Sequence, residues 1–423
     1  MTPKLRFPGF VGDWQSGRLG DFFTFKNGVN ADKSMYGSGR KFINVMDVIA
    51  DAPITHDAII GTVEISDKEF AKNEVVYGDV LFQRSSETRE DVGQSNIYVD
   101  QQPATFGGFV IRGRPKQAIE PHYFDALLKT AAVRKDMTSR SGGSTRYNIG
   151  QESLDAVAVC TAPSLTEQQR IAAYLGAVDA RIGLLRRRRA ALDRYKTGLM
   201  QRVFAQTLRF RRDDGLPFPD WKECRVDSIF DWISTNSLSR EMLTDEPGSI
   251  QNIHYGDIHG KFPARFKQSE QSAPFVKPEA LTQPIRPEQF CLPGDVVIAD
   301  ASEDYADIGK SLEIIETKPR SLIAGLHTHL ARPRAGTLAL GFSGYLFQTW
   351  ALRNQIMRIA QGISVLGISK PNLSKLVVRL PHPDEQRKIA DLLSALDDKV
   401  TALAAKIDAM QTLKKGLLQQ MFV

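Results

Sequence analysis

Cysteine is scarce in this chain of 423 residues: Cys160, Cys224 and Cys291 are widely separated and odd in number. That excludes a disulfide framework and offers no metal-ligand spacing, which leaves small buried thiols in a reducing compartment. Long apolar runs are missing too, since none approaches the roughly 20 residues that span a bilayer. The opening "MTPKLRFPGF" lacks the charged-then-apolar build of a secretion signal. The expectation is a cytoplasmic protein without a membrane segment. Catalytic signatures are equally absent, with no H-E-x-x-H, no G-x-S-x-G and no Asn-Pro-Pro-aromatic tetrapeptide. "DIGKS", Asp307 to Ser311, resembles the end of a phosphate loop, but Asp304 stands where its first glycine belongs. "TFGGF" around Gly107 and Gly108 reads as a turn between strands, and "PDW" before Lys222 is too sparse for a nuclease site. His327 and His329 are two apart with no third ligand near them, so no zinc site is expected. These gaps point to a binding module with no catalytic residue and no metal.

What is present is ordinary in composition and unusual in arrangement. Apolar content of 42% and charged content of 25% describe a globular chain, and the length suits two to three domains. The formal charge of +6 and pI near 9.1 permit an acidic partner such as nucleic acid. The arrangement is a repeat. "PSLTEQQRIAAYLGAVDARI" begins at Pro163 and "PHPDEQRKIADLLSALDDKV" at Pro381; Glu167, Gln168, Ile171, Leu175 and Asp179 match Glu385, Gln386, Ile389, Leu393 and Asp397 at one offset of 218 residues. Three further pieces recur in the same order. "LRFPGFVGDW" pairs with "DDGLPFPDW", "GDVLFQRSSETREDVGQS" with "GDVVIADASEDYADIGKS", and "GGSTRYNIGQESL" with "QGISVLGISKPNL". The repeating unit is half the chain, far longer than a solenoid repeat, so the pattern is a tandem duplication of a domain plus a helix.

Each half reads in two parts. Short apolar or β-branched runs broken by Gly, Pro, Asn and Asp, such as "KFINVMDVI" and "EVVYGDVLF", make a strand-rich domain with one helical patch near "PHYFDALLKTAAVRKDM" or "GFSGYLFQTWALRNQIMRIA". Then comes a stretch without proline. Ile171, Leu175, Val178, Ile182, Leu185, Leu192 and Leu199 recur at spacings of three and four or their sum, as do Ile389, Leu393, Leu396, Val400, Leu403, Ile407, Met410 and Leu417. That is the heptad rule, predicting helices of about 37 residues whose seams bury each other. An antiparallel pair is the economical connection, because it places the entrance and exit of the second domain at the same end. The expected fold class is α+β: two similar strand-rich α/β domains joined by two long helices in an antiparallel coiled coil, with a pseudo-twofold internal repeat. The expected boundaries are 1–162 and 208–380 for the domains, and 163–207 and 381–423 for the helices.

Between Gln168 and Phe204, nine Arg and Lys residues face only Asp179 and Asp193, for a net +7. Arg186 to Arg189 must circle the helix, so this run is either a solvated face or a set of phosphate contacts. Base reading would fall to loops with planar and polar side chains. In the first half these carry Arg84, Ser85, Ser86, Arg140, Ser144, Thr145, Arg146 and Tyr147; in the second, Asp300, Ser302, Gln361 and Ser364. An arginine fork suits guanine, and Asn or Gln suits adenine. The frame repeats while the loop chemistry changes, as expected of two readers of different sequences.

These residues together resemble the specificity subunit of type I restriction-modification systems. The likeness rests on "LRFPGFVGDW", "GDVLFQR", "GGSTRYNIGQESLDAVAV" followed by "PSLTEQQRIAAYL", and "FPDW", "GDVVIAD" and "GISKPNLSKLVVRLPHPDEQRKIADLL". It implies two target-recognition domains, each reading half of a bipartite double-stranded DNA site. It also implies two methyltransferase subunits docked on the repeated helices, carrying S-adenosylmethionine for adenine methylation. Restriction subunits, when present, translocate DNA by ATP hydrolysis with Mg. No cofactor is expected in this chain itself. One departure is "GIS" at Gly362 to Ser364 where the first half has "GST" at Gly143 to Thr145. The competing reading is the recognition part of a fused restriction-methylation enzyme or a divergent nuclease, which would need catalytic motifs that are missing.

Overall fold

The computed structural model describes residues 2–423. They fall into two compact units: residues up to Arg187 together with Ala404–Val423, and Arg188–Leu403. In the first unit, Phe23–Asn27, Val110–Pro115, Val80–Gln83 and Ser95–Ile97 form an antiparallel sheet in that order. In the second, the equivalent order is Phe230–Ile233, Thr328–Pro333, Val296–Ala299 and Ser311–Glu316, extended by Arg265–Lys267. The duplication holds at the level of register. Val80 faces Ile97 and Phe82 faces Ser95, just as Val296 faces Glu313 and Ile298 faces Ser311. Each central strand is apolar on both faces because it divides two cores. Val80 and Phe82 enter one cluster and Leu81 another, and Val296 and Ile298 are likewise separated from Val297 and Ala299. That explains continuous apolar runs where an exposed sheet would show alternation.

The "GDV" phrase builds the same corner twice. Gly78 and Gly294 turn at φ of +88° and +94°, a conformation that favours glycine. The aspartate that follows is buried: Asp79 takes the Val76 amide at 2.9 Å and a fork from Arg114 at 3.0 and 2.7 Å. Asp295 takes the Leu292 amide at 2.8 Å and the Arg332 fork at 2.9 and 2.8 Å.

Two expectations are refined by capping chemistry. "KFINVMDVI" is not one strand: the strand Tyr36–Ile43 ends at Asn44, whose Oδ1 accepts the Met46 amide at 2.8 Å and starts the helix Val45–Val48. Each helical patch is two helices, Pro121–Leu128 then Ala131–Ser139, and Phe342–Leu346 then Trp350–Ile359. The break falls at Thr130 and Thr349, whose hydroxyls donate to the carbonyls of Leu127 and Leu346 at 2.7 Å.

The proline-free stretches lie in single helices, Leu165–Phe204 and Pro383–Met421, the second of which opens on its proline. Ile171, Leu175, Val178, Ile182, Leu185 and Leu199 are buried, as are Ile389, Leu393, Leu396, Leu403, Ile407 and Leu417; Leu192, Val400 and Met410 are half-buried. The two helices run antiparallel within each unit. In the first, Trp14 binds Glu167 and packs on Phe422, while Asp179 pairs with Lys414 at 2.7 Å. In the second, Trp221 binds Glu385 and packs on Phe204, while Lys196 pairs with Asp397.

Here lies the reason for the repeated Glu-Gln. Glu167 is fully buried at the helix start and accepts Arg6 Nε at 2.7 Å, Arg6 Nη2 at 2.9 Å and Trp14 Nε1 at 3.3 Å. Glu385 accepts Arg209 Nε at 3.2 Å, Arg209 Nη2 at 2.8 Å and Trp221 Nε1 at 3.3 Å. The neighbouring glutamine ties the helix to its domain: Gln168 accepts the Glu120 amide, and Gln386 accepts the Ala339 amide while donating to Thr337 and Pro381. The "FPGFVGDW" and "FPDW" phrases supply the tryptophan partner of a carboxylate about 160 residues away.

The copies differ at Glu313, which occupies the register position of Ile97. Its buried carboxylate accepts the Gly341 and Gly344 amides, each at 2.7 Å. Burial pushes its pKa up to about 7, against the opposing pull of those amides and of Arg265. The folded state therefore holds this proton more tightly than the unfolded chain does. Its contribution is fully present below the ordinary glutamate value near 4.5 and is lost as pH rises to about 7. Between pH 5 and 8, wild type should lose about 2–3 kcal/mol of second-unit stability relative to Glu313→Gln. Denaturant unfolding of both proteins at the two pH values checks this, and an unchanged difference contradicts it.

Candidate nucleic-acid interface

The two loops singled out in each half lie far apart in sequence and are joined by a short ribbon. Ser85–Ser86 pairs antiparallel with Tyr147–Asn148, placing Tyr147 opposite Ser86. Ala301–Ser302 pairs with Leu366–Gly367 in the same way. A third segment completes the junction. Arg84 donates its amide to the Phe109 carbonyl at 2.9 Å and accepts the Ile149 amide at 3.0 Å. Asp300 donates to His327 at 3.0 Å and accepts from Ile368 at 2.9 Å. Arg84 and Asp300 are thus the same structural position, and so are Phe109 and His327.

The loop tip is also shared. Gly142 bridges Asn148 in the first unit, and Gln361 bridges Gly367 in the second. Between them Gly143 and Gly362 sit at φ of +122° and +130°. A Cβ there would lie 2.0 Å from the Arg146 carbonyl oxygen or 2.1 Å from that of Val365. Glycine is therefore required by the turn itself, and the change from "GST" to "GIS" leaves its backbone intact.

The side chains sort into outward and committed sets. Ser144, Thr145 and Arg146 are exposed at the tip; in the second unit Ser364 is exposed at the position of Thr145, and Gln361 is exposed at that of Gly142. Arg84 is half-buried and spends one donor on the Gly108 carbonyl at 3.2 Å, leaving most of its fork for another acceptor. Ser85 and Tyr147 are half-buried, and Tyr147 packs on the core. Three residues are engaged elsewhere. Arg140 pairs with Asp136 at 3.0 Å, Ser86 Oγ accepts the Thr88 amide at 3.3 Å, and buried Ser302 closes a turn with Asp304. Asp300 Oδ1 lies 3.2 Å from His327 Nδ1. Chemistry at the junction is therefore opposite in sign: Arg84 and Arg146 in one unit, Asp300 without an arginine on the loop in the other.

Phe109 and His327 escaped the sequence pattern because "TFGGF" looked like nothing more than a turn. The usable signal was their shared place one residue before matching strands, Val110–Pro115 and Thr328–Pro333. On the long helix, Arg186 lies 3.7 Å from Asp51 and Arg189 lies 3.9 Å from Asp193, while the whole run remains exposed.

Among the described residues, no group of three or more His, Cys, Asp or Glu side chains converges as a metal-ion site would require. His329 is buried with Nε2 at 2.9 Å from the Ile368 carbonyl, and burial lowers its pKa; His327 is exposed. Burial likewise raises the pKa of the Cys291 thiol, away from reactivity. No described helix is long and apolar enough to cross a membrane.

Comparison with known proteins gives one family twice. Residues 12–194 and 220–410 each match the family described as the type I restriction modification DNA specificity domain. A Methanocaldococcus jannaschii chain named as the MjaX specificity subunit of a type I restriction enzyme is 21% identical over 415 residues, covering 96% of this chain and 92% of that one. The MjaVIII specificity subunit from the same organism is 22% identical over 267 residues, covering 60% of this chain and 59% of its own. Among solved structures, the S subunit of the type I restriction-modification system from M. genitalium superposes with a TM-score of 0.58 at 15% identity, covering 100% of this chain and 99% of that one. A chain from a study of complex assembly and conformational transition in the type I R-M system gives 0.59 at 17% identity, with 97% and 98% covered.

Proposed function

The chain belongs to the type I restriction modification DNA specificity family, and from that premise we propose that each of its two units reads one half of a bipartite double-stranded DNA site. It is a specificity subunit, a non-catalytic recognition component that assembles with the other subunits of its system. In this reading, residues 1–162 and 208–380 are the target-recognition domains. The helical segments 163–207 and 381–423 dock two methyltransferase subunits, which bring S-adenosylmethionine to adenine. Restriction subunits, where the system has them, add ATP- and Mg-dependent translocation and cutting. The setting is the cytoplasm.

The observation that carries this is the ribbon junction, built twice in one register with different side chains. A duplicated frame with unlike outward groups suits two readers of unlike sequences. Arg84 and Arg146 offer forks matched to guanine, Gln361 suits adenine, and Asp300 can accept the amino group of cytosine. Gel shifts of the chain with and without a methyltransferase partner test it. Sequence-specific binding, with methylation only when the partner is added, is expected; methylation or cleavage by the purified chain alone would show a fused enzyme or nuclease instead. Within the complex, Arg84→Ala or Arg146→Ala should cost about 1–3 kcal/mol of discrimination at one half-site and leave the other unchanged. Sequencing methylated sites reads this directly, and an unaltered motif removes these arginines from base reading.

A further inference from the structure

A lone exposed aromatic is common on protein surfaces and by itself says nothing. Phe109 differs in how firmly it is held and in what stands beside it. The residue is 64% exposed, yet its backbone is locked. Gly107 donates to Ile43 at 3.0 Å, Gly108 to Val29 at 2.9 Å and Val110 to Gly107 at 2.9 Å, while the Phe109 carbonyl accepts Arg84. A Cβ on Gly107 would strike the Phe42 ring at 2.6 Å, and one on Gly108 would meet Asn30 Oδ1 at 1.8 Å. The turn is packed to the limit beneath a ring that contributes little to the core. Arg84 closes the arrangement by donating Nη1 to the Gly108 carbonyl, the residue before Phe109, at 3.2 Å. An apolar ring and a guanidinium fork are thus presented side by side on a rigid support, which limits the ordering cost of binding.

We infer that Phe109 reads the 5-methyl group of a thymine beside a guanine held by Arg84, within the half-site of the first unit. In the major groove the thymine methyl is the one apolar marker among the base edges, and guanine offers the O6 and N7 pair that matches an arginine fork. Neighbouring side chains on one support therefore suit neighbouring bases. The second unit supplies the contrast. His327 occupies the equivalent position at φ +54°, a left-handed conformation uncommon outside glycine, and faces Asp300 at 3.2 Å. A polar pair replaces ring and fork at this position, and the apolar groups that the second unit exposes, Ile363 and Val365, stand instead on the loop tip. The inference rests on the DNA-reading assignment above and specifies a base feature that the assignment leaves open.

The test uses the full chain assembled with its methyltransferase partner on a duplex whose site has been defined by methylation sequencing. Thymines in each half-site are replaced in turn by deoxyuridine, which removes only the methyl group. Wild type should lose about fourfold in affinity at the half-site read by the first unit, the value of one buried methyl group. Phe109→Ala should bind the natural site more weakly and no longer distinguish thymine from uracil. His327→Ala should leave the uracil response unchanged, and the exposed position of Phe109 predicts an unchanged melting temperature for Phe109→Ala. If neither half-site responds to uracil, if the Phe109→Ala complex still responds, or if the first unit's half-site has no thymine, the inference is overturned while DNA reading stands. If the assembled complex binds no specific sequence, the functional reading itself fails and takes this inference with it.

Discussion

Glu385→Ala should destabilise the second unit by about 3–5 kcal/mol, the usual cost of removing one member of a buried ion pair. The carboxylate is fully buried and serves both Arg209 and Trp221. Its loss leaves the indole N–H of Trp221 and Nε of Arg209 without an acceptor. Arg209 retains Asp220 at 3.4 Å and the Phe218 and Pro219 carbonyls, which places the expectation toward the lower end of that range. Glu167→Ala should act likewise on the first unit, because Arg6 and Trp14 make the corresponding contacts. Denaturant unfolding followed by limited proteolysis would assign each loss to its unit. Adding Arg209→Ala to Glu385→Ala should cost less than the two single changes taken together, since both act on one pair. Additive losses would show that the carboxylate acts through something other than this pair.

Gly143→Ala should impair recognition roughly ten- to a hundredfold at one half-site while leaving global stability almost untouched. The residue is exposed, so little of the core depends on it. Its φ of +122° and the 2.0 Å approach of the Arg146 oxygen mean that even one methyl group must open the turn. The bonds between Gly142 and Asn148 at 3.0 and 2.8 Å would go with it, and Arg146 would lose its fixed place. The size expected follows from losing one positioned base contact or two, each worth about 1–3 kcal/mol. Gly362→Ala should do the same at the other half-site. Methylation rates of the assembled complex on duplexes altered in one half-site at a time measure both effects. Normal rates with Gly143→Ala would separate the loop tip from recognition. Thermal melting serves as the control, since a large drop would make any loss of recognition a folding defect.

How much was legible beforehand follows from the range of the forces involved. The doubled Glu-Gln, the proline-free stretches with their three-and-four spacing and the paired "GDV" phrases are local patterns. They announce duplication, long helices and a tight corner without coordinates, because helix periodicity and positive-φ turns are dictated within a few residues. The partners of Glu167 and Glu385 were not legible, although Trp14 and Trp221 stood in the repeated phrases. A buried carboxylate finds its donors through tertiary contact. "KFINVMDVI" was resolved by a local contact instead: the capping bonds of Asn44 with Met46 and Asp47 outweighed β-branched propensity.

Sequence alone therefore determined that this protein is one frame written twice, with a helical seam after each copy and no catalytic machinery of known pattern. Those properties reside in spacing and residue type. Tertiary structure alone decided which polar loops meet, and that Phe109 and His327 share the junction with Arg84 and Asp300. The physical reason is that strand pairing joins segments dozens of residues apart through backbone bonds that carry no signature of side-chain identity.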